Sequence, residues 1–191
     1  MKKEFREYKR RDPGDALYSK YGTISVVRAM HRMGSLAYRN CQGRMVPEDQ
    51  VDRIDHNWYV NNIGVRTLAC SPGCAFACGG WYHLKGDESP GARRHAGEWG
   101  TKPEFGSVNP FANACDLPDL PEVSHLNNMC NEYGMDVMET AMEIAFVMQL
   151  WERGIITQKD TTKWMGEPLS LEWVNYETME RIIDAIALHK N

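Results

Sequence analysis

This sequence predicts a mainly α fold, an irregular multihelical domain with one long Gly- and Pro-rich loop. Apolar residues recur three or four apart in several stretches, helix-capping residues bracket those stretches, and no convincing series of alternating strands appears. At 191 residues the chain fits a single domain spanning 1–191, or a large piece of a bigger protein. A chain of that size buries roughly 70% of its unfolded surface and can hold a core of its own.

Taken in order, Leu17, Tyr21, Ile24, Val27 and Met30 predict a helix from Asp15 to Met33, stopped by Gly34. A polar loop, Tyr38-Arg39-Asn40-Cys41-Gln42-Gly43, follows. Pro47 opens a second helix to about Tyr59, with Val51, Ile54 and Trp58 on one face. After a cysteine-rich stretch the chain from Gly79 to about Asp119 reads as irregular, and a loop of that length is either functional or disordered. Asp119-Leu-Pro-Glu122 resembles a capping box opening a helix through Met129 and Cys130, which Gly134 ends. Asp136, with Glu139 three residues on, caps a helix from Val137 to Arg153 that is apolar nearly all round and so predicts burial on most sides. Gly154 ends it, Thr157 and Asp160 suggest a short capped turn, and a last helix starts near Tyr176 with Met179, Ile182, Ile183 and Ile186 as its stripe. That helix runs to the C-terminus without a closing cap, so the chain reads as part of a longer one.

A net charge of −4 argues against a dedicated nucleic-acid binder. The basic opening (Lys2, Lys3, Arg6, Lys9, Arg10, Arg11) also carries Glu4, Glu7 and Asp12 and reads as a solvated arm. No apolar run reaches the roughly 18 residues of a membrane span, and the polar N-terminus has no secretory apolar region. Six unevenly spaced cysteines suit a reducing compartment with a metal site, so a cytoplasmic location is expected.

Three of those cysteines form Cys70-Ser-Pro-Gly-Cys74-Ala-Phe-Ala-Cys78-Gly-Gly. Thiolates at this spacing suit one soft metal site. Pro72 and Gly73 make a turn, a helical turn would set Cys74 and Cys78 on one face, and Gly79 and Gly80 would let backbone approach a bulky cluster. A cubane iron–sulfur cluster usually takes four cysteines, leaving one ligand to come from elsewhere. Structural zinc, which favours closer cysteine pairs, and three buried thiols are the competing readings. Radical-SAM enzymes also use three cysteines, but with a shorter last gap and an α/β barrel.

Several segments, in order along the chain, carry a resemblance. They are Tyr21-Gly22-Thr23, Gly34-Ser-Leu-Ala-Tyr-Arg-Asn40, the three cysteines, Lys102-Pro-Glu-Phe105, Ala112-Asn-Ala-Cys115, Asn127-Asn-Met-Cys-Asn-Glu-Tyr-Gly-Met-Asp136, and Ile144 through Thr157. Together they resemble the middle, helical part of the aldehyde ferredoxin oxidoreductase family. The resemblance implies a 4Fe-4S cluster beside tungsten or molybdenum held by two pterins, with two-electron chemistry at the metal and single-electron transfer through the cluster. It makes Cys70, Cys74 and Cys78 cluster ligands, with the family's fourth cysteine in a later domain. It places Asn131, Gly134 and Asp136 in a pterin-contacting motif, compatible with their reading as a helix stop and a helix cap, since a helix N-terminus offers free N–H groups. It implies partners: the remaining domains or subunits of the same enzyme, including an N-terminal pterin-cradling domain, and a ferredoxin or iron–sulfur electron-transfer subunit. Alone, the chain is expected to be inactive or nearly so.

Two departures stand out. Three residues, not the commoner two, separate Cys70 from Cys74. Aldehyde-oxidising members carry a glutamate two residues beyond the position of Glu104, where this chain has Gly106; the loss of a proton acceptor or substrate positioner moves the expectation toward the benzoyl-CoA-reductase-like branch. In that branch a cysteine binds tungsten, and Cys115 is the candidate here; its plain reading is a small core residue. Asp87, Glu88, His95 and Glu98 could hold a borderline metal, but a solvated loop is the preferred reading. Cys41 and Cys130 are assigned to packing, and His31, His56, His83, His125 and His189 show no spacing that compels a role. The rival functions are a stand-alone cysteine–metal electron-transfer or binding module, with its fourth ligand from Cys41, Cys115, Cys130 or a second copy, and a degenerate cofactor-free remnant.

Overall fold

A computed structural model describes Glu4, Glu7 and residues 13–189 apart from 73 and 75, the side chains of 13–15 excepted. The basic positions of the opening arm lie outside the described residues. The fold is mainly α, as the periodicity predicts, with a small three-stranded sheet the sequence did not announce.

Helix α1 (Pro13–Tyr21), a 3-10 turn (Thr23–Val26) and α2 (Val27–Arg32) occupy the stretch expected to be one helix. The break falls at Gly22, whose φ of 73° is open to glycine and strained for other residues. Gly34, at φ 67°, provides the expected stop. The Tyr38–Cys41 turn has Arg39, Asn40 and Cys41 all at positive φ and docks on a later helix through Asn40 Nδ2 to Gln149 Oε1 at 2.9 Å. Cys41 is exposed there, so its assignment to packing is corrected.

The second expected helix is also two, α3 (Glu48–Ile54) and α4 (His56–Asn62). Asp55 between them is extended, and its carboxylate accepts from Trp58 N at 2.8 Å, capping α4. Strand β1 (Gly64–Leu68) pairs antiparallel with β2 (Gly79–His83), and β2 with β3 (Trp99–Thr101). Helix α5 (Pro90–Arg94) lies between β2 and β3, capped by Ser89 through Ala92 N at 3.1 Å. Helix α6 (Phe105–Val108) runs on into a π-helical turn (Asn109–Ala114). The segment expected to be irregular therefore holds two strands and three helical pieces.

Four further helices complete the fold: α7 (Leu120–Tyr133), α8 (Val137–Glu152), α9 (Gln158–Met165) and α10 (Tyr176–Leu188). Asp119 accepts from Glu122 N at 3.2 Å, but the reciprocal half of the expected box is absent: Asp119 N donates to Leu117 O, and Glu122 faces Arg94 at 3.8 Å. Asp119 also accepts from Ser89 Oγ and Gly91 N, tying α5 to α7. Thr157 and Asp160 form a complete capping box on α9. The core runs from Ile24, Val27 and Ile54 through Tyr82, Phe111 and Leu120 to Ile144, Met148 and Met179. Helix α8 buries Thr140, Ala141, Ile144, Ala145 and Met148 but leaves Met138 and Phe146 more than half exposed, so its burial is one-faced rather than all-round. No helix among the described residues is long and apolar enough to cross a membrane.

Glu122 gives the fold a pH signature. Burial, then the charge of Asp119, raises its carboxyl from 4.5 to about 7, against the lowering effect of Arg94. The native chain thus holds a proton that the unfolded chain releases. That contribution is complete below pH 4.5 and is lost as pH rises to about 7. The expected size is about 2–3 kcal/mol, after a discount for residual solvent contact. Urea unfolding of wild type and Glu122→Gln across pH 4.5–7.5 checks it: the difference between them should grow in the variant's favour with pH, and a pH-independent difference would contradict it.

Candidate functional site

The cysteine stretch is the connection between β1 and β2. The Cys74 N–H donates to Ser71 O at 3.0 Å, closing the expected turn around Pro72. Among the described residues from there to β2 none is helical: Ala77 has φ 46°, which reverses the hand, so Cys74 and Cys78 do not share a helical face. Cys70 is exposed, and Cys74 and Cys78 are half-buried. Phe76 packs edge-on against Tyr18 of α1 with ring centroids 5.6 Å apart, pinning the loop to that helix.

Tyr18 marks where the groups meet. Burial, then the charges of Cys78, Glu104 and Cys74, raise its hydroxyl above the usual tyrosine value. Two of the three thiols and Glu104 therefore share one neighbourhood. Glu104 is fixed there: Oε2 accepts from Thr23 N at 2.9 Å and from the Thr23 hydroxyl, and Oε1 pairs with Lys102 Nζ at 2.8 Å. Lys102 Nζ also donates to Tyr21 O at 2.6 Å, and Phe105 N to Thr23 Oγ1 at 2.8 Å. Two of the segments noted in the sequence, Tyr21-Gly22-Thr23 and Lys102-Pro-Glu-Phe105, are thus bonded to each other. Gly22 lies tight between them and the cysteine loop: a Cβ on it would stand 2.2 Å from Lys102 Nζ and 2.4 Å from Cys78 O.

Gly79 and Gly80 have a packing role. A Cβ on either would approach a β1 carbonyl, of Leu68 or Arg66, at 3.0 Å. They also line a cleft of about 360 Å³, together with Lys102, Glu104, Ser107 and, from α7, Asn127 and Asn131. Asn131 sits in the last turn of α7. Gly134 ends that helix at φ 70°, and Asp136 accepts from Glu139 N at 2.8 Å to open α8. Asn131, Gly134 and Asp136 are all exposed, and nothing within 4 Å would meet a Cβ on Gly134, so the turn is open outward. Asn127 is 4% exposed; its Oδ1 accepts from Ser107 Oγ at 2.6 Å, and its Nδ2 has no partner.

Cys115 is not part of this neighbourhood. It is fully buried, its thiol donates to Ala141 O at 3.3 Å, and burial pushes its ionisation far up. Cys115, the candidate tungsten ligand, is in this fold a core thiol, which agrees with its plain reading as a small packing residue. Cys130 is buried as expected, with burial pushing its thiol up to about 11. Gly106 has room beside it, the nearest contact for a Cβ being Met138 Cε at 3.4 Å. Of the acidic loop residues, Glu88 folds back onto its own backbone, accepting from Lys85 N and Gly86 N at 3.0 and 2.9 Å; burial raises its carboxyl, but those bonds win and hold it low. His95 and Glu98 do stand together, joined by His125 from α7.

Sequence reasoning missed Tyr18, Asn127 and His125. No local pattern singles them out, and only the folded chain brings them to their neighbours.

The aldehyde ferredoxin oxidoreductase family, domains 2 and 3, matches this chain over residues 1–191, and the chain belongs to that family. Among its relatives, the tungsten-containing aldehyde ferredoxin oxidoreductase of Pyrococcus furiosus is 27% identical over 171 residues, 88% of this chain and 25% of that protein. The protein of that name from Pyrococcus horikoshii is 28% identical over 156 residues, 79% of this chain and 23% of its own. That from Thermococcus kodakarensis is 28% identical over 89 residues, 47% of this chain and 14% of its own. The chain spans about a quarter or less of the length of these relatives.

Proposed function

We propose that this chain is one part of a tungsten-dependent oxidoreductase of the aldehyde ferredoxin oxidoreductase type. Cys70, Cys74 and Cys78 supply three thiolates to a 4Fe-4S cluster, and the turn from Asn131 to Asp136 contacts a pterin of the tungsten cofactor. The observation that carries this reading is the cleft lined both by Gly79 and Gly80, directly after Cys78, and by Asn131. It brings the end of the cysteine loop and the start of the Asn131 turn to one space. The donor chemistry fits: three thiols on an accessible loop suit soft iron, and the partnerless Asn127 Nδ2 and the outward turn suit a polar ligand.

When bound, such a cofactor supplies two-electron oxidation or reduction at tungsten, and the cluster carries electrons one at a time. The chain's own residues hold and orient. Lys102 and Thr23 fix Glu104 at the cleft, and with both oxygens engaged its carboxylate is a structural anchor rather than a ready base. The names of the relatives support tungsten over molybdenum and an aldehyde-type reaction. Neither the family match nor the names of these relatives favours the acyl-CoA-reductase reading, which rests on Gly106 and Cys115. The remaining ligands and the rest of the pterin cradle come from other parts of the enzyme, and the exposed loop suits electron exchange with a ferredoxin. The setting proposed is the cytoplasm, where thiols stay reduced.

Anaerobic reconstitution with iron and sulfide tests the reading. The expected product is brown, with broad visible absorption and an EPR signal on reduction, and Cys74→Ser should lose most of its iron. A colourless protein holding stoichiometric zinc would overturn it.

A further inference from the structure

We infer that His95, Glu98 and His125 form a second metal site, separate from the cysteine loop, for a divalent transition ion such as zinc or iron. Among the described residues these three form the one group of His, Cys, Asp or Glu whose ligand atoms all lie within 4.8 Å of one another. The chemistry of two imidazoles and one carboxylate matches such ions, leaving an open position for water.

The arrangement around the three supports a built site. Glu98 Oε2 faces both imidazoles, at 2.6 Å from His125 Nδ1 and 3.8 Å from His95 Nδ1. The two rings stack face to face, with centroids 3.8 Å and planes 11° apart, which keeps both Nδ1 atoms within 4 Å of the one carboxylate oxygen. The outer nitrogens are held from behind. Tyr176 OH is 2.8 Å from His95 Nε2, and Glu180 Oε1 is 3.5 Å from His125 Nε2. Tyr82 donates to the other Glu98 oxygen. Metal-binding histidines are oriented in this way, with the far ring nitrogen bonded to a carboxylate or another polar group. The supports come from β2, α7, α10 and the loop between α5 and β3, so the geometry is held by packed elements.

An ion here would replace the proton on His125 Nδ1; with metal–ligand bonds of about 2.0–2.1 Å it would open the short His125–Glu98 contact and draw His95 Nδ1 closer to the carboxylate. It would crosslink the α5–β3 loop to α7. The proposal does not depend on the cluster reading, and its test separates the two.

The test is a Co2+ titration of the full chain carrying Cys70→Ser, Cys74→Ser and Cys78→Ser. One equivalent should bind, with weak visible d–d bands and no thiolate charge-transfer band. His95→Gln and His125→Gln on that background should each weaken binding at least tenfold, and Tyr176→Phe about tenfold through the lost orienting contact. Circular dichroism of each variant shows that it is folded, and His95→Gln, in a loop, stands in should His125→Gln not be. Failure of the triple-serine chain to bind Co2+, or binding unchanged by His95→Gln, would overturn the proposal.

Discussion

Arg39→Ala should lower the free energy of unfolding by about 3–5 kcal/mol, because it strands a buried carboxylate. Asp116 is 1% exposed. Its Oδ2 accepts from Arg39 Nε at 2.8 Å and lies 2.8 Å from Nη2, while Oδ1 takes a weaker bond from Gln50 at 3.2 Å. The guanidinium also covers Tyr38 and Trp173, so part of the loss is packing. Two controls separate the parts. Asp116→Asn removes the charge while keeping a residue type that tolerates the φ of 57° at this position. The double variant Arg39→Ala/Asp116→Asn should then lose less than the sum of the singles, since the stranded charge is gone. Urea unfolding at pH 7 checks this; a loss under about 1 kcal/mol for Arg39→Ala would contradict it.

Tyr82→Ala should cost a similar about 3–5 kcal/mol, as for other large aromatic deletions from a core. The side chain is fully buried at the centre of the sheet. Gly100 on β3 packs so closely that a Cβ there would fall 2.6 Å from the Tyr82 ring, leaving no neighbour placed to refill the space. The hydroxyl adds a second contribution, donating to the Glu98 carboxylate with Ser124 O at 3.2 Å. Tyr82→Phe isolates it and should cost about 1–3 kcal/mol, as for a buried bond to a charged acceptor. If Tyr82→Phe cost as much as Tyr82→Ala, the ring would contribute little and the packing argument would fail.

The parts of the fold legible in the sequence are those with local signals. Asp119, Asp136 and the Thr157–Asp160 pair announce their helices because a cap is a contact between residues three apart. The sheet was not legible. β1 is almost wholly exposed and shows no alternation, β2 opens on two glycines, and β3 is three residues long. What makes them strands is Tyr82 packed under Gly100, a contact between partners eighteen residues apart. The helix breaks at Gly22 and Asp55 were hidden for the same reason. Gly22 yields to the cysteine loop and Lys102, and Asp55 turns its carboxylate to Arg28 at 2.5 Å. At the site, the three cysteines stood out by spacing, and the Asn131–Asp136 turn by resemblance and by its glycine and cap. That the two border one cleft is a property of the fold.

The central claim is that this chain gives a cluster three thiolates and no fourth. Mössbauer spectroscopy of the anaerobically reconstituted chain, enriched in iron-57, tests it most directly. The account predicts about four irons per chain, one of them distinct from the other three and shifted by an added thiol, since that iron alone lacks a protein cysteine. Four equivalent irons indifferent to added thiol, or the same iron content after Cys70, Cys74 and Cys78 are all changed to serine, would contradict it.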